Sequence, residues 1–128
     1  MRSKKYILVS GSLAYDRIMV FPGKFSDYIL PDKIHNLNVA FGIESIQDNF
    51  GGTAGNIAYN LALLQERPLI YSTAGNDFEK YKNWLESKNI DISKIIIVEN
   101  VPTATAYITT DTSDNQITGF FMGAMKTP

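Results

Sequence analysis

The hydrophobic pattern of this chain changes period at one place, and that change restricts what can be built around it. Residues 50–64 read FGGTAGNIAYNLALL, two glycines followed by Ile57, Leu61 and Leu64 spaced by four and three, with Ala58 and Ala62 between them. That spacing is one face of a helix. Before it lies YILVS at 6–10, a short apolar run closed by Ser and Gly, which reads as a buried strand rather than an alternating edge strand. After it comes PLIYSTAG at 68–75, again strand-like. A second helical face follows at 76–90, where Phe78, Tyr81, Trp84 and Leu85 align behind Asn76 or Asp77 as N-cap. ISKIIIVE at 92–99 supplies a third strand rich in branched residues. The order strand, helix, strand, helix, strand predicts an α/β fold with a parallel sheet.

The remaining segments read as β-structure and turns. RIMVF at 17–21 is a second strand, and 21–34 is broken by Pro22, Gly23, Pro31 and Asp32. Residues 35–50 alternate, with Leu37, Val39 and Phe41 on one face and Asn36, Asn38 and Ala40 on the other, which predicts a strand interrupted at Gly42 and then another short one. Residues 103–125 predict a β-hairpin around DTSDNQ, with Asp114 and Asn115 in the turn. There is no internal repeat and no low-complexity segment.

Composition excludes several functions. The chain has 128 residues, about one ordinary domain, with 12 Lys and Arg against 13 Asp and Glu. No run of like charges offers a footprint for nucleic acid or an anionic membrane, so a small molecule is the expected partner. There is no cysteine, hence neither a disulfide nor a thiolate metal site, and the lone His35 cannot build a metal cluster and reads as a partly solvated strand residue. The basic start is followed by an apolar stretch broken by Ser10, Gly11, Ser12, Asp16 and Arg17, unlike a signal peptide or a membrane span. A cytoplasmic protein is expected.

Two features carry chemistry. Consecutive glycines before a helix let a backbone approach a ligand closely, and the helix start turns its free N–H groups toward oxygen-rich or anionic groups. No Lys-Ser or Lys-Thr pair follows, so this is not a phosphate-binding P-loop; plain turn geometry is the alternative reading. Asp16 lies beyond the carboxyl end of the first core strand, where ligands of open α/β sheets bind and where a carboxylate accepts hydrogen bonds from hydroxyl groups. A solvated turn aspartate is the alternative there.

Taken together and in order, SGSLAYD at 10–16, FGGTAGNIAYNLALL, STAGNDF at 72–78 and the 103–125 segment resemble the N-terminal portion of the ribokinase-like, pfkB-type carbohydrate kinases, with their adenosine-kinase-like branch nearest. The resemblance implies part of a ribokinase-like parallel sheet with helices, plus a small β-sheet lid made of segments about 17–50 and 103–124. It implies that Asp16, Gly51, Gly52, Thr53 and Asn56 hold the hydroxyls of a sugar or nucleoside, and that Val39, Phe41, Tyr107 and Phe121 belong to the lid that covers it. Ala14 stands where many sugar-specific members carry an asparagine. ATP and Mg would serve the complete enzyme. The catalytic aspartate and the ATP site belong to a late glycine-rich motif that these residues do not contain, so no catalytic residue, metal or bound ATP is expected in this chain by itself. A non-catalytic sugar-binding or dimerisation module is the alternative, and a homodimer through the lid or an exposed sheet edge is expected under either reading.

Overall fold

The structure, a computed structural model, describes residues 5–127 and arranges them in two sheets. The first is the parallel sheet that the alternating pattern demands: β1 (Tyr6–Ser10), β4 (Arg67–Ala74) and β5 (Asp91–Ile97), in the order β1-β4-β5. Its crossovers carry α1 (Thr53–Leu63) and α2 (Glu79–Ser87). Val9 pairs with Ile70 in the β1–β4 register, and both are buried with Leu13, Ala54, Ala58, Ala74, Phe78, Tyr81, Leu85 and Ile90 in one core.

The face that α2 buries is the one its period predicts, with Phe78, Tyr81 and Leu85 inside and Trp84 half-buried against them. Its start differs. Phe78 occupies the N-cap position, and Asp77 instead accepts a hydrogen bond at Oδ1 from the Thr103 N–H, 2.8 Å, tying the helix to the second sheet. In α1 the buried residues are Ala54, Gly55 and Ala58, and Leu61 packs half-buried against the same core, while Ile57 is 51% exposed and Leu64 lies outside, so of the three spaced apolar residues only Leu61 faces the core. Small side chains let the helix axis approach the sheet closely, and that proximity turns Ile57, one position away and about 100° round the helix, outward.

The second sheet joins β3 (Ser45–Gly51), β2 (Ala14–Val20), β6 (Ala104–Thr110) and β7 (Gln116–Phe121) in the order β3-β2-β6-β7. β2 runs antiparallel to β3 and parallel to β6, and β6 and β7 form the expected hairpin. The strand expected over 35–44 is not formed. Residues Pro31–Asn36 make a 3-10 turn that leaves His35 exposed, and Phe41 packs instead against Phe21, Phe25 and Tyr28, with ring centroids 4.8, 5.1 and 6.0 Å away. An aromatic cluster buries that side chain without a ladder of backbone bonds, and three alternating positions are too few to hold a strand against it.

The chain passes from the first sheet to the second through residues 11–13 and returns at Gly51 and Gly52. These two crossings lie side by side. Every residue expected to bind a hydroxyl lies at or next to them.

Candidate functional site

Gly52 has φ +88°, and a Cβ there would come 2.5 Å from the Ser12 carbonyl oxygen and 2.8 Å from Leu13 Cα. Only glycine fits this crossing. The start of α1 is then closed by Ser12. Its Oγ accepts from the Thr53 N–H at 3.0 Å, its carbonyl accepts from the Ala54 N–H at 3.0 Å, and its own N–H donates to Thr53 Oγ1 at 3.3 Å. The two hydroxyl oxygens are 3.2 Å apart. Two of the helix N–H groups that the sequence pattern turned toward a ligand are therefore committed to Ser12, and so is the Thr53 hydroxyl. Asn56 lies exposed on the first turn of α1, its N–H bonded to the Gly52 carbonyl at 3.0 Å. Ser12 is the residue that the sequence reading missed; the only local trace of it is a serine between a glycine and the start of β2.

Asp16 joins this corner through the β2–β3 pairing, two residues from Ala14, which is opposite Gly51. A Cβ on Gly51 would lie 2.7 Å from Asp16 Oδ2, so the carboxylate sits over a position where no side chain fits. Asp16 is half-buried, yet among the described residues its carboxylate has no hydrogen-bond or ion-pair partner. Asp27, Asp32 and Asp114, whose carboxylates are likewise unbonded, are exposed to water. Because no buried side-chain oxygen among the described residues lacks a partner, the Asp16 oxygens remain open to solvent, free to accept from a hydroxyl-bearing ligand that displaces water.

Strand register decides which side of the second sheet shares this carboxylate. Asp16 pairs with Ala106, and Ala106 with Phe120; Ile18, Ile108 and Thr118 form the next row on that face. Tyr107 and Phe121 belong to the intervening rows, with Arg17 and Tyr15 respectively, and so lie on the opposite face from Asp16. That opposite face borders a cleft of about 630 Å3 lined by Tyr15, Arg17, Asp48, Phe50, Lys80 and Tyr107 among others. Arg17 and Asp48 form a two-point ion pair there, 2.9 and 3.2 Å, whose hydrogen bonds and charge hold the Asp48 carboxyl below its ordinary pKa. Val39 and Phe41 lie outside the sheet altogether. The apolar side chains on the Asp16 face nearest it are Ile18, Ala106, Ile108 and Phe120, with Ala14, Ala104 and Val20 farther along the same face, and Phe120 is 53% exposed.

A second cleft of about 390 Å3 opens at the carboxyl ends of β1 and β4, lined by Ser10, Ser12, Thr53, Ser72, Thr73 and Thr127 among others. Its lining is rich in hydroxyls and holds no charged side chain. Among the described residues no three or more His, Asp or Glu converge as metal ligands. These residues do not fit a triphosphate with its magnesium, which requires cationic or backbone donors around the phosphates and oxygen ligands for the ion. Among the described residues no helix is long and apolar enough to cross a membrane.

The model of the pfkB family carbohydrate kinases matches residues 10–127. The nucleoside kinase of Methanothermobacter thermautotrophicus is 37% identical over 103 residues, 78% of this chain and 33% of that protein. Among solved structures, the nucleoside kinase of Methanocaldococcus jannaschii, an archaeal member of the ribokinase family, is similar with a TM-score of 0.80 at 32% identity, covering 94% of this chain and 38% of its own. The Burkholderia thailandensis nucleoside kinase in complex with inosine gives a TM-score of 0.76 at 37% identity, covering 92% and 37%. The chain thus spans about a third of the length of the curated relatives it matches.

Proposed function

The chain belongs to the pfkB family of carbohydrate kinases, and on that premise we propose that it forms the acceptor-holding part of a nucleoside kinase. The carrying observation is the half-buried, unbonded Asp16 carboxylate over Gly51. There a ribose hydroxyl donates to the carboxylate while the Gly51–Gly52 backbone comes close enough to enclose the sugar. Asn56, at the first turn of α1, offers a further amide at the same corner. The apolar face formed by Ala106, Ile108 and Phe120 supports a nucleoside over a bare sugar, because an aromatic base needs an apolar surface beside the hydroxyl site and a free sugar does not. The sheet that carries this face serves as a lid, excluding water from the hydroxyl that receives the phosphoryl group. The role of these residues is to hold and orient the acceptor.

Calorimetric titration with inosine, and with ribose for comparison, tests this reading. Inosine binding is expected to exceed ribose binding, and Asp16→Ala is expected to weaken it about 10- to 150-fold, the worth of one hydrogen bond to a charged group. The melting temperature of that variant should stay near the original, because the carboxylate has no partner to lose. Equal binding by the original chain and the variant would sink the assignment.

Self-association belongs to the same reading. β1 is an edge strand with Tyr6, Ile7 and Leu8 exposed, and an apolar edge offers unpaired backbone groups to a second strand. Sedimentation equilibrium at micromolar concentration is expected to give a dimer; a persistent monomer would remove this part of the proposal.

A further inference from the structure

Tyr81 lies in the first turn of α2 and is 1% exposed. The rings of Phe50, Phe78, Tyr15 and Trp84 surround it, with centroids 4.6, 5.6, 5.8 and 6.1 Å away. A buried phenol hydroxyl must find a partner, and this one donates to the Gly51 carbonyl oxygen at 2.7 Å. The hydroxyl reaches that carbonyl by passing directly beside Gly55. A Cβ on residue 55 would overlap the Tyr81 hydroxyl oxygen and lie 3.0 Å from Cζ. A glycine inside a helix costs about 1 kcal/mol relative to alanine, so nothing in the needs of α1 itself explains Gly55. The space it leaves for the hydroxyl does.

We infer that Tyr81 is a positioning residue for the acceptor site, with Gly55 admitting it: α2 fixes the peptide of Gly51, and through it the corner in which Asp16 faces the glycine turn. The inference rests on the reading of that corner as the hydroxyl-binding site. Two separate elements hold the same turn, Ser12 from the side of the N–H groups of Thr53 and Ala54, and Tyr81 from the side of the Gly51 carbonyl. Burial first, and then the neighbouring Tyr15 and Asp16, raise the Tyr81 pKa above its ordinary value, so the hydroxyl remains a donor throughout the ordinary pH range.

Tyr81→Phe, Gly55→Ala and the double variant test this in the full 128-residue chain. Tyr81→Phe keeps the ring packing and removes the donor. It is expected to leave the chain folded, to speed amide hydrogen exchange at Gly52 and Thr53, and to raise the Kd for inosine roughly three- to tenfold, the size of one neutral hydrogen bond. Gly55→Ala alone is expected to lower the melting temperature sharply or to prevent folding. With Phe at position 81 the added methyl no longer strikes a hydroxyl oxygen and meets ring Cζ at 3.0 Å and Leu13 Cδ2 at 3.3 Å, so the double variant should recover part of the melting temperature lost in Gly55→Ala while inosine affinity stays low. A merely structural role predicts instead that affinity follows melting temperature across the series. Unchanged exchange at Gly52 and Thr53 in Tyr81→Phe, or recovery of affinity together with stability in the double variant, would overturn the inference. If the original chain fails to bind inosine, the reading of the corner as a nucleoside site fails, and the exchange measurement still decides whether Tyr81 holds the turn.

Discussion

Ser12 and Thr53 cap one another across 41 residues of sequence, each side-chain oxygen accepting the other's backbone N–H, at 3.0 and 3.3 Å. The contact ties together two of the places where the chain crosses between its sheets, at residues 11–13 and at Gly51–Gly52. Replacing Ser12 with alanine deprives the Thr53 N–H of its acceptor, and loss of such a helix cap costs about 0.5–2 kcal/mol. The expected fall in melting temperature is about 4 °C for each kcal/mol in a domain of this size. Thermal melts followed by circular dichroism check this; an unchanged midpoint would mean that the clasp contributes nothing to stability.

The glycines separate into two kinds. At Gly52 the backbone has φ +88° and a side chain would strike the Ser12 carbonyl, so Gly52→Ala is expected to lose more than about 2 kcal/mol from strain and collision together. At Gly119, inside β7, a Cβ would meet nothing within 4 Å, and Gly119→Ala is expected to gain about 0.5–1 kcal/mol from reduced freedom of the unfolded chain. Urea unfolding of the two variants side by side would contradict this if their order were reversed.

The two adjacent phenylalanines of β7 lie on opposite faces of their sheet. Phe120 shares the face of Asp16, and Phe121 shares the face of Tyr15 and Thr105. Phe120→Ala is therefore expected to weaken inosine binding by about 1–3 kcal/mol, the range for removal of an aromatic stacking partner, and Phe121→Ala to change it little. Titration calorimetry distinguishes them. A larger loss from Phe121→Ala would place the nucleoside on the other face.

Asp111 governs the acid response of the β6–β7 turn. Burial by itself would raise its carboxyl pKa, but hydrogen bonds from the Phe25 N–H, the Asn115 side-chain amide and the N–H groups of Asn115 and Ser113 outweigh burial and lower it from 3.8 to about 2. A carboxyl lowered on folding stabilises the folded state at pH above its ordinary value, and that contribution disappears as pH falls through the folded value. Stability tied to this turn should thus be complete above pH 3.8 and be lost by about pH 2. Amide shifts of Phe25, Ser113 and Asn115 followed by NMR over that window should report one shared titration, and Asp111→Asn should abolish it. A midpoint near the ordinary carboxyl value would contradict the assignment.

Much of the fold was legible because its information is local. The switch from short apolar runs to helical spacing is set within a few residues, and it correctly announced β1, α1, β4, α2 and β5 and their parallel arrangement, although β1 is not the buried strand its apolar run suggested: it lies at the sheet edge with Tyr6, Ile7 and Leu8 exposed. The buried face of α2 and the hairpin at 104–121 follow from period and turn chemistry in the same way. The strand read at 35–44 failed because alternation at three positions is equally satisfied by a cluster of rings, and Phe21, Phe25 and Tyr28 are brought to Phe41 by a connection whose path no local pattern specifies.

For the site, the sequence by itself determined which residue types stand at the crossing: a glycine where only φ above zero serves, an aspartate just past the first core strand, and a family pattern that joins them. Tertiary structure alone decided the rest. Local spacing says that successive strand residues face opposite ways, but only the register of β2 against β6 places Phe120 with Asp16 and leaves Tyr107 and Phe121 behind. Period makes Ile57 look like core, yet the closeness of α1 to its sheet selects the small residues in its place. Ser12 and Tyr81 reach the glycine turn from 41 and 30 residues away, and a hydrogen bond between such distant partners leaves no trace in the spacing of either segment. Which donors remain for a ligand is a property of the assembled corner, because each one is counted only after the fold has used its share.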